Sequence, residues 1–540
     1  MNPCLQLLKQ NDPSTNVQGH TELAERMKKN ILLIFILIIF SLPSIIPLFH
    51  RGFFPTDDGN WMVIRFSAFY EALRHGQFPV RFLPRLNNGY GYPVADFLYP
   101  LFMYIGVPIH VLGFSFVDTI KLILGASLIS SSFFCFLWLK KIFGNVQSSV
   151  GALIYTLFPY HLWDVYKRGS VGEVLALSIV PFILWSLENN NVALAGLGYG
   201  LLITAHNTLA LIFIPVIFIY DFISSKKDKR SNLLNSLKPL VLGIGASSFF
   251  WVPALYDKQF TVFDKTKVSD FSNYFITLKD FNLLGLISLA VILASLLLLY
   301  KNRKGKFIYF IVITIIAIFL STPFSKAIWD IGLLPGFVQF PFRFLSVVAL
   351  GVSYLAAYSL SQTDNKYLPF AAFFYLILIF FSAKDFIYPK TFQNYPDTFY
   401  STNQDTTTVK NEYMPKWVKK IPVSIYKEKV EVLRGDGKVQ NLFNNGNRIS
   451  FNISSSMDTQ LQINTVYFPE WKVRADGKEI PISYSNPSGL IRFNIPQGVH
   501  AVRVSFFETP IRILADLISI GGIISLFIIG FKKKLFYEFN

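Results

Sequence analysis

The sequence is short of charged residues and of cysteine, and both shortages narrow its class. Charged residues make up 15% of the 540 residues, whereas a soluble domain carries roughly 25%. Of the two cysteines, Cys4 precedes the first apolar run and Cys135 lies inside a later one, so we expect no disulfide framework. No His/Cys set has the spacing of metal ligands. Any metal would therefore be a hard ion such as Mg²⁺ or Mn²⁺ held by carboxylates.

Apolar residues are what the chain has in excess. They form 52% of it, with 55 Phe and 26 Tyr, and runs of span length recur along the chain. The net charge of +17 does not indicate nucleic acid, because Lys and Arg cluster in short loops that orient membrane spans. We predict a polytopic α-helical membrane protein with about 12 spans. These are placed near residues 31–49, 118–139, 148–163, 171–187, 192–206, 207–222, 238–255, 281–300, 306–322, 343–361, 367–384 and 511–531.

The basic loops predict the orientation of these spans. Lys28-Lys29 places the tail 1–30 in the cytoplasm, and later basic loops as far as Lys532–Lys534 agree with that side. They agree only if the apolar segment 97–114 does not cross alone, so we predict that it dips into the plasma membrane or lies on it. The loops without basic clusters then share the outer face: 50–96, 160–170, 206–207, 256–280, 323–342 and 385–510.

The segment 385–510 differs in pattern from the rest of the chain. Short alternating strands replace the apolar runs, and Asp-Gly and Asn-Gly turns separate them. We predict a small extracytoplasmic β-rich domain there. It follows a transmembrane domain at 31–384 and precedes a final span with a basic tail at 511–540.

The first outer loop carries the acidic pair Asp57 and Asp58 just before an amphipathic stretch. The apolar stripe of that stretch predicts a helix lying on the membrane surface, with members Met62, Phe66, Phe69 and Leu73. An aspartate at this position can cap the helix. It can also act as the general base for a hydroxyl that attacks a sugar. The residues alone leave both interpretations open.

Further polar groups on the predicted outer face extend the candidate site. Arginine matches phosphate oxygens, yet the same side chains could bind anionic lipid headgroups or ion-pair within the protein. Glu173 could orient an acceptor, hold a metal ion with Asp58, or simply pair with Arg168. The candidate phosphate ligands are Arg81, Arg85, Arg168 and Arg343. The candidate substrate contacts are Tyr90, Tyr92, His206, Asn207, Gln339 and Glu412, which packing or interface anchoring would also explain.

Ten short motifs occur in the order seen in one bacterial membrane family. They are Thr56–Gly59, Gly76–Arg81, Gly89–Pro93, Tyr99-Pro100, Pro159-Tyr160, Arg168-Gly169 with Glu173, His206-Asn207, Gln339–Arg343, Glu412–Pro415 and Tyr467–Trp471. The chain resembles the membrane proteins labelled "6-pyruvoyl-tetrahydropterin synthase-related". That family is similar to the GT-C glycosyltransferases, near the proteins that glycosylate lipoteichoic acid.

The resemblance implies a polyprenyl-phosphate sugar donor and a catalytic acidic residue, an aspartate or glutamate, in the first outer loop. It favours Asp58, in Asp58-Gly59, over Asp57. The family often carries a histidine near this aspartate, but the flanking residues here are Asp57 and Asn60–Met62. A histidine-assisted mechanism is therefore not expected.

Two classes of function remain. The first is an enzyme that moves a hexosyl or pentosyl group from a polyprenyl phosphate to an envelope acceptor, working among membrane lipids. The second is a lipid-linked saccharide transporter or flippase, or a non-catalytic glycan-binding scaffold. A transporter needs ionisable groups deep inside several spans. The sequence shows few of them, which favours the enzyme.

Overall fold

The chain folds as a helical body followed by a small β domain. The computed structural model describes residues 35, 37–224, 229–263, 270–300 and 305–538. The predicted tail 1–30, the beginning of the first predicted span and parts of the basic loops near 226–230 and 301–306 lie outside these residues. The predicted class, mainly helical with a β domain near the C-terminus, is confirmed.

Within the described residues, five helices are long and apolar enough to cross a membrane. Two bent helix pairs raise that number to seven, with bends of 68° and 85°. The predicted count of about 12 spans is therefore not confirmed, because several predicted spans are short apolar helices. The five long helices are Phe116–Lys140, Val171–Glu188, Asn207–Ser224, Pro341–Ser361 and Pro510–Phe531. The bent pairs are Leu233–Ala246 with Ser248–Phe260 and Gly305–Ser321 with Pro323–Asp330. The short apolar helices are Leu101–Val111, Val192–Ala205, Gly285–Leu299 and Leu368–Ala383.

The remaining helices connect and cover these elements. The predicted surface helix forms as Gly59–Arg74, and its apolar stripe is mostly buried, with Phe66 and Phe69 both 0% exposed. The dipping segment holds only the helix Leu101–Val111, which at 1.5 Å per residue is far shorter than a bilayer. The other connecting helices are Asn145–Thr156, Pro159–Trp163, Lys326–Asp330, Leu333–Phe337 and Asp397–Ser401.

The β domain consists of two antiparallel sheets packed face to face. One sheet has the order β1-β4-β7 and the other has the order β2-β3-β8-β5-β6. Apolar residues at every second position, such as Ile449, Phe451 and Leu461, meet in one core between the sheets. The strands are β1 Val430–Arg434, β2 Lys438–Asn444, β3 Arg448–Ser455, β4 Thr459–Val466, β5 Trp471–Ala475, β6 Lys478–Ile480, β7 Leu490–Ile495 and β8 Gly498–Phe506.

The first loop and the β domain share that core. Phe82 and Phe97 of the loop are buried in it, and the Phe82 and Trp471 ring centroids lie 5.6 Å apart. The Val466 N–H donates to the Tyr90 carbonyl at 2.8 Å. The loop that carries the acidic pair is thus fixed to the β domain at one end.

A buried cluster of charges joins the C-terminal helix to the body. Arg512 donates through Nε to Asp257 Oδ2 at 2.8 Å, and both side chains are 0% exposed. Arg81 lies 3.0 Å from Asp516 and 3.6 Å from Asp96. Charges this deeply buried stay ionised only in pairs, so the C-terminal helix supplies part of the body's interior.

Candidate functional site

A cleft of about 480 Å³ opens beside the acidic pair. Asp57, Asp58 and the buried Arg168 line it together with several aromatic rings. Pockets that hold small ligands combine apolar walls with a few polar groups in this way. The lining residues are Asp57, Asp58, Trp163, Arg168, Asn273, Tyr274, Phe275, Ile276, Asp280, Leu283, Phe340 and Phe342.

Backbone hydrogen bonds hold the acidic pair in place. The Asp57 and Asp58 N–H groups donate to the carbonyls of Lys167 and Arg168 at 3.0 and 2.8 Å. Gly169 permits this approach, because its φ is +67° and a Cβ there would lie 2.4 Å from Thr56 Oγ1. The Arg168-Gly169 motif therefore positions the loop that carries Asp58.

The helix after the acidic pair does not use an aspartate side chain as its cap. Asp58 occupies the N-cap position without a side-chain cap hydrogen bond. Thr56 Oγ1 accepts from the Gly59 N–H at 2.8 Å instead. Asp58 is about one-third exposed and lies 3.8 Å from Arg168, and the more exposed Asp57 pairs with Lys167 at 3.1 Å. The Asp58 carboxylate thus remains accessible from the cleft.

Glu173 is the centre of the charge network behind the cleft. It is 0% exposed and lies in the first turn of the helix Val171–Glu188. Its carboxylate accepts from Arg168 at 2.7 Å and from Arg343 at 2.9 Å. The Tyr160 hydroxyl donates to its other oxygen at 3.1 Å. The predicted pairing of Glu173 with Arg168 is observed, and with these partners Glu173 organises cations rather than facing the cleft.

Arg168 connects that network to the acidic pair. Its Nη1 donates to Asp164 Oδ1 at 2.9 Å while its Nη2 points towards Asp58. Burial, and then the charge of Glu173, raise the pKa of the Asp164 carboxyl well above its usual range. Asp164 and Arg168 belong to one π-helical turn, Asp164–Arg168, of a kind frequent at functional sites.

Arg343 and His206 complete the network from two distant parts of the chain. Arg343 Nη1 also donates to Gln339 Oε1 at 2.8 Å. His206 Nδ1 accepts from the Leu209 N–H at 3.2 Å, so its proton lies on Nε2, 3.5 Å from Glu173. Burial lowers the pKa of His206 to about 3. Its contact with Glu173 is therefore that of a neutral donor and not an ion pair.

Tyr99 packs behind the same network. Its ring centroid lies 4.5 Å from that of His206. Gly172 makes room for it, because a Cβ there would lie 2.2 Å from Tyr99 Cε2 and 2.6 Å from the Ala205 carbonyl oxygen. Gly169 thus lets Thr56 and Gly59 approach the turn 164–173, and Gly172 leaves room at the same turn for the Tyr99 ring.

Two predicted phosphate ligands lie in other networks. Arg81 is 2% exposed and contacts Asp96, Glu508 and Asp516. Arg85 pairs with Glu71 at 2.9 Å and donates to the carbonyls of Ser401 and Asn403. Protein groups already surround both guanidinium groups, so Arg168 and Arg343 are the predicted arginines that the structure brings to Asp58 and Glu173.

Four predicted substrate contacts also lie apart from the cleft lining. Tyr92 is 0% exposed, and its hydroxyl accepts from the Tyr413 N–H at 3.0 Å. Tyr90 packs edge-on against Tyr426, with ring centroids 5.2 Å apart. Glu412 accepts from the Lys410 N–H at 3.4 Å, and Asn207 Oδ1 accepts from the Thr208 N–H at 2.9 Å.

Sequence reasoning missed the cleft's aromatic wall and the role of Asp164. The wall comes from the segments 273–283 and 340–342, where Tyr274 and Phe340 have ring centroids 4.6 Å apart. Nothing local marks these rings as neighbours of Asp58. Asp164 had a signal, since it stands four residues before Arg168 and that spacing puts both on one helical face.

The acidic groups do not form a cage for a metal ion. Among the residues that the structure describes, no group of three His, Cys, Asp or Glu could hold one. Asp57 and Asp58 face cations, Lys167 and Arg168, whereas a divalent ion needs several oxygen ligands converging on one point. The two aspartates alone therefore do not supply the set of carboxylates that a hard ion such as Mg²⁺ or Mn²⁺ would need here.

Comparisons with known proteins give one family match and several distant relatives. A family model described as "6-pyruvoyl-tetrahydropterin synthase related domain; membrane protein" matches residues 96–389. An uncharacterised protein of Lactococcus lactis subsp. cremoris (strain MG1363) is 25% identical over 265 residues. That alignment covers 45% of this chain and 42% of the Lactococcus protein, so it spans less than half of the relative's length.

Several solved structures match this chain at low sequence identity. The mycobacterial arabinofuranosyltransferase AftD is 14% identical with a TM-score of 0.45, over 66% of this chain and 27% of AftD. The oligosaccharyltransferase AglB of Archaeoglobus fulgidus is 12% identical with a TM-score of 0.43, over 70% of this chain and 56% of AglB. ArnT of Cupriavidus metallidurans, bound to undecaprenyl phosphate, is 12% identical with a TM-score of 0.39, over 64% and 62%.

The family match covers more than half of the chain and includes the turn 164–173, His206 and Arg343. It does not include the acidic pair, which precedes residue 96. The chain belongs to the 6-pyruvoyl-tetrahydropterin synthase-related membrane proteins, as its ordered motifs predicted.

Proposed function

We propose that the protein is a membrane glycosyltransferase that moves a sugar from a polyprenyl-phosphate donor to a cell-envelope glycan, lipid or polymer. One observation carries the proposal. An accessible carboxylate, Asp58, lies 3.8 Å from the guanidinium of Arg168 at the edge of an aromatic-walled cleft. Sugar transfer to a hydroxyl is assisted by a base that accepts the hydroxyl proton and by a cation that stabilises the departing phosphate, and this part of the cleft supplies one of each.

Asp58 is the proposed base. The acceptor hydroxyl attacks the anomeric carbon, its proton passes to the Asp58 carboxylate, and the bond from that carbon to the phosphate oxygen breaks. The lipid phosphate then leaves as an anion. The fixed backbone bonds of Asp58 to the Arg168 carbonyl hold the base still relative to the cation.

Arg168 is the proposed cation at the leaving phosphate. Its Nη1 contacts the Glu173 and Asp164 carboxyl groups, which fixes the orientation of the guanidinium group. Its Nη2 is then directed towards Asp58. Lys167, about three-fifths exposed beside Asp57, adds a second mobile cation. Arg343 shares Glu173 with Arg168, so it balances that carboxylate and frees part of the charge of Arg168 for a ligand.

The aromatic wall is the proposed contact for the sugar and the first prenyl units. Phe340 and Phe342 stack at 5.2 Å, and Trp163 meets Phe342 edge-on at 5.1 Å. Aromatic faces suit both apolar chains and the C–H faces of sugars. We further propose that the protein lies in the plasma membrane with this cleft and the β domain on the outer face, where the envelope acceptor is found.

The test compares Asp58→Asn with Asp330→Asn. Asp330 is likewise an accessible aspartate next to a cation, in its case Lys326, and it does not line the cleft. Purified proteins in liposomes receive labelled polyprenyl-phosphate sugars and an envelope extract as acceptor. We expect Asp58→Asn to lose about 10²- to 10⁴-fold in transfer rate and Asp330→Asn to match the wild type. Full transfer by Asp58→Asn contradicts its role as base, and translocation of the lipid without transfer contradicts the enzyme.

A further inference from the structure

We propose a second binding site, for a neutral saccharide, on the outward face of the three-stranded sheet of the β domain. Glu431, Gln462 and Arg492 stand side by side in one row across this sheet. The backbone register pairs Gln462 with Glu431 of β1 on one side and with Arg492 of β7 on the other. The site is separate from the cleft at Asp58 and does not require transfer activity.

The row faces away from the core of the domain. Its neighbours along each strand, such as Leu461, Ile463 and Ile491, are 0% exposed in the core between the sheets. Side chains alternate between the two faces of a strand, so the row lies on the opposite face. Arg434 next pairs with Gln460 and Gln460 with Asn494, which continues the polar face.

The planar groups of the row hold one another in fixed positions. Gln462 Nε2 donates to Glu431 Oε2 at 3.3 Å, and Arg492 Nε donates to Gln462 Oε1 at 2.8 Å. Asn464, 1% exposed, donates to Glu431 Oε1 at 2.6 Å. A site whose side chains are already ordered loses little entropy when it binds.

Donors remain unused at the edge of this network. Arg492 is half-buried, and its two Nη groups donate to no protein group in the described part of the chain. The hydroxyls of Tyr90 and Tyr426 likewise have no hydrogen-bond partner among the described residues. A ligand with several hydroxyl groups would find donors and acceptors here within one small area.

Two tyrosines stand beside the row. Tyr90 and Tyr426 meet edge-on and are half-buried, and Lys429 Nζ lies 4.8 Å from the Tyr426 ring. The Val466 N–H donates to the Tyr90 carbonyl at 2.8 Å, so Tyr90 borders the end of β4, and burial raises the pKa of its hydroxyl. Tyrosine combines an apolar ring with a polar tip, so the pair suits a sugar ring better than a flat apolar surface would.

The charges of the row select the kind of ligand. The row holds one carboxylate, Glu431 on the edge strand β1, and one guanidinium, Arg492 on the opposite edge strand β7, so its net charge is zero. Its mixture of carboxylate, amide and guanidinium groups matches paired hydroxyls, which both donate and accept. A neutral saccharide therefore fits, and an anionic polymer does not.

The position of the face relates it to the loop that carries Asp58. Lys429 Nζ donates to the Gly89 carbonyl at 3.2 Å and to the Asn464 carbonyl at 2.7 Å. Tyr90 belongs to the same loop and accepts from the Val466 N–H. A saccharide on this face would be held next to the first loop.

Binding by full-length protein in nanodiscs tests the site. Neutral oligosaccharides (glucans, galactans, mannans and N-acetylhexosamine oligomers) are screened by saturation-transfer NMR and titrated by calorimetry. We expect at least one to bind, and Arg492→Met and Tyr426→Ala to weaken its Kd by about 10-fold or more, the size of one lost charged hydrogen bond. Arg503→Met, an exposed arginine on β8 of the other sheet, should bind as the wild type does.

Asp58→Asn separates this site from the catalytic one. The variant should keep wild-type saccharide affinity even when it transfers no sugar. Loss of binding in Asp58→Asn would put the ligand in the cleft and overturn the proposal. Binding of none of the neutral saccharides, equal binding by Arg492→Met and Tyr426→Ala, or preference for an anionic polymer would overturn it as well. Thermal unfolding of each variant confirms that it is folded.

Discussion

The two ends of one helix offer a direct test of the charge network. Glu173 and Glu188 are the first-turn and last residues of the helix Val171–Glu188. Glu173 is 0% exposed and holds two arginines, whereas Glu188 is 17% exposed and pairs with the 23%-exposed Lys306 at 2.6 Å. The substitution Glu173→Gln keeps the shape and removes the charge, and Glu188→Gln makes the same change at the other end.

The two substitutions should differ strongly in cost. Glu173→Gln leaves Arg168 and Arg343 buried with only Asp164 and the more distant Asp58 to balance them. Removing one partner of a buried pair costs about 3–5 kcal/mol. Glu188 and Lys306 are more exposed, and the Tyr220 hydroxyl that donates to Glu188 can equally donate to the glutamine oxygen, so we expect Glu188→Gln to cost clearly less. Both glutamates lie on one helix, so differences in helix propensity cancel.

The measurement is the free energy of unfolding of purified protein in detergent, followed by tryptophan fluorescence against denaturant. A wild-type-like midpoint for Glu173→Gln would refute the idea that Glu173 holds the two arginines. Equal losses in both variants would refute it too, since they would show a general effect of neutralising that helix.

Two further predictions concern space and protonation. Gly172→Ala should lower the unfolding temperature, because the new Cβ would lie 2.2 Å from the Tyr99 ring and overpacking costs about 1–3 kcal/mol. Gly245→Ala is the control, since a Cβ there meets nothing within 4 Å and should not lower it. Equal unfolding temperatures of the two variants would contradict the packing argument. Burial lowers the pKa of Lys429 from 10.5 to about 7, so between those values the unfolded chain binds the extra proton and stability rises with pH by up to about 1.4 kcal/mol per unit. Below pH 7 both states are charged and this contribution is flat. Lys429→Met should remove the rise from a plot of unfolding free energy against pH, and an unchanged slope would assign it to other groups.

Local patterns predicted the elements well. Runs of apolar residues marked the helices, for example 118–139 against the observed Phe116–Lys140. Alternation predicted strands within 385–510, and the strands β1 to β8 lie there. The predicted number of spans is not confirmed, because hydropathy does not separate a buried helix such as Val192–Ala205 from one that faces lipid.

The sequence predicted proximity between candidate site residues where the predicted membrane side of their loops was sufficient. Placing loops on one face brought Asp58 and Arg168 into the same region of the molecule, and they do meet. The partners of Arg81 could not be predicted. Glu508 and Asp516 are more than 400 residues further along the chain, and no sequence pattern relates them to Arg81. Pairings at such sequence separation depend on tertiary packing, which leaves no local signal.

The ion pair between Arg512 and Asp257 has a consequence for biosynthesis. Asp96 and Asp257 are synthesised long before Arg512, and until Arg512 is added both carboxylates lack one of the cations that balance them in the finished fold. The charge balance at this junction is therefore complete only when the C-terminal helix is in place. An unfinished or truncated product would carry uncompensated acids at that junction, which gives quality-control proteases a physical difference by which to distinguish it from the mature protein.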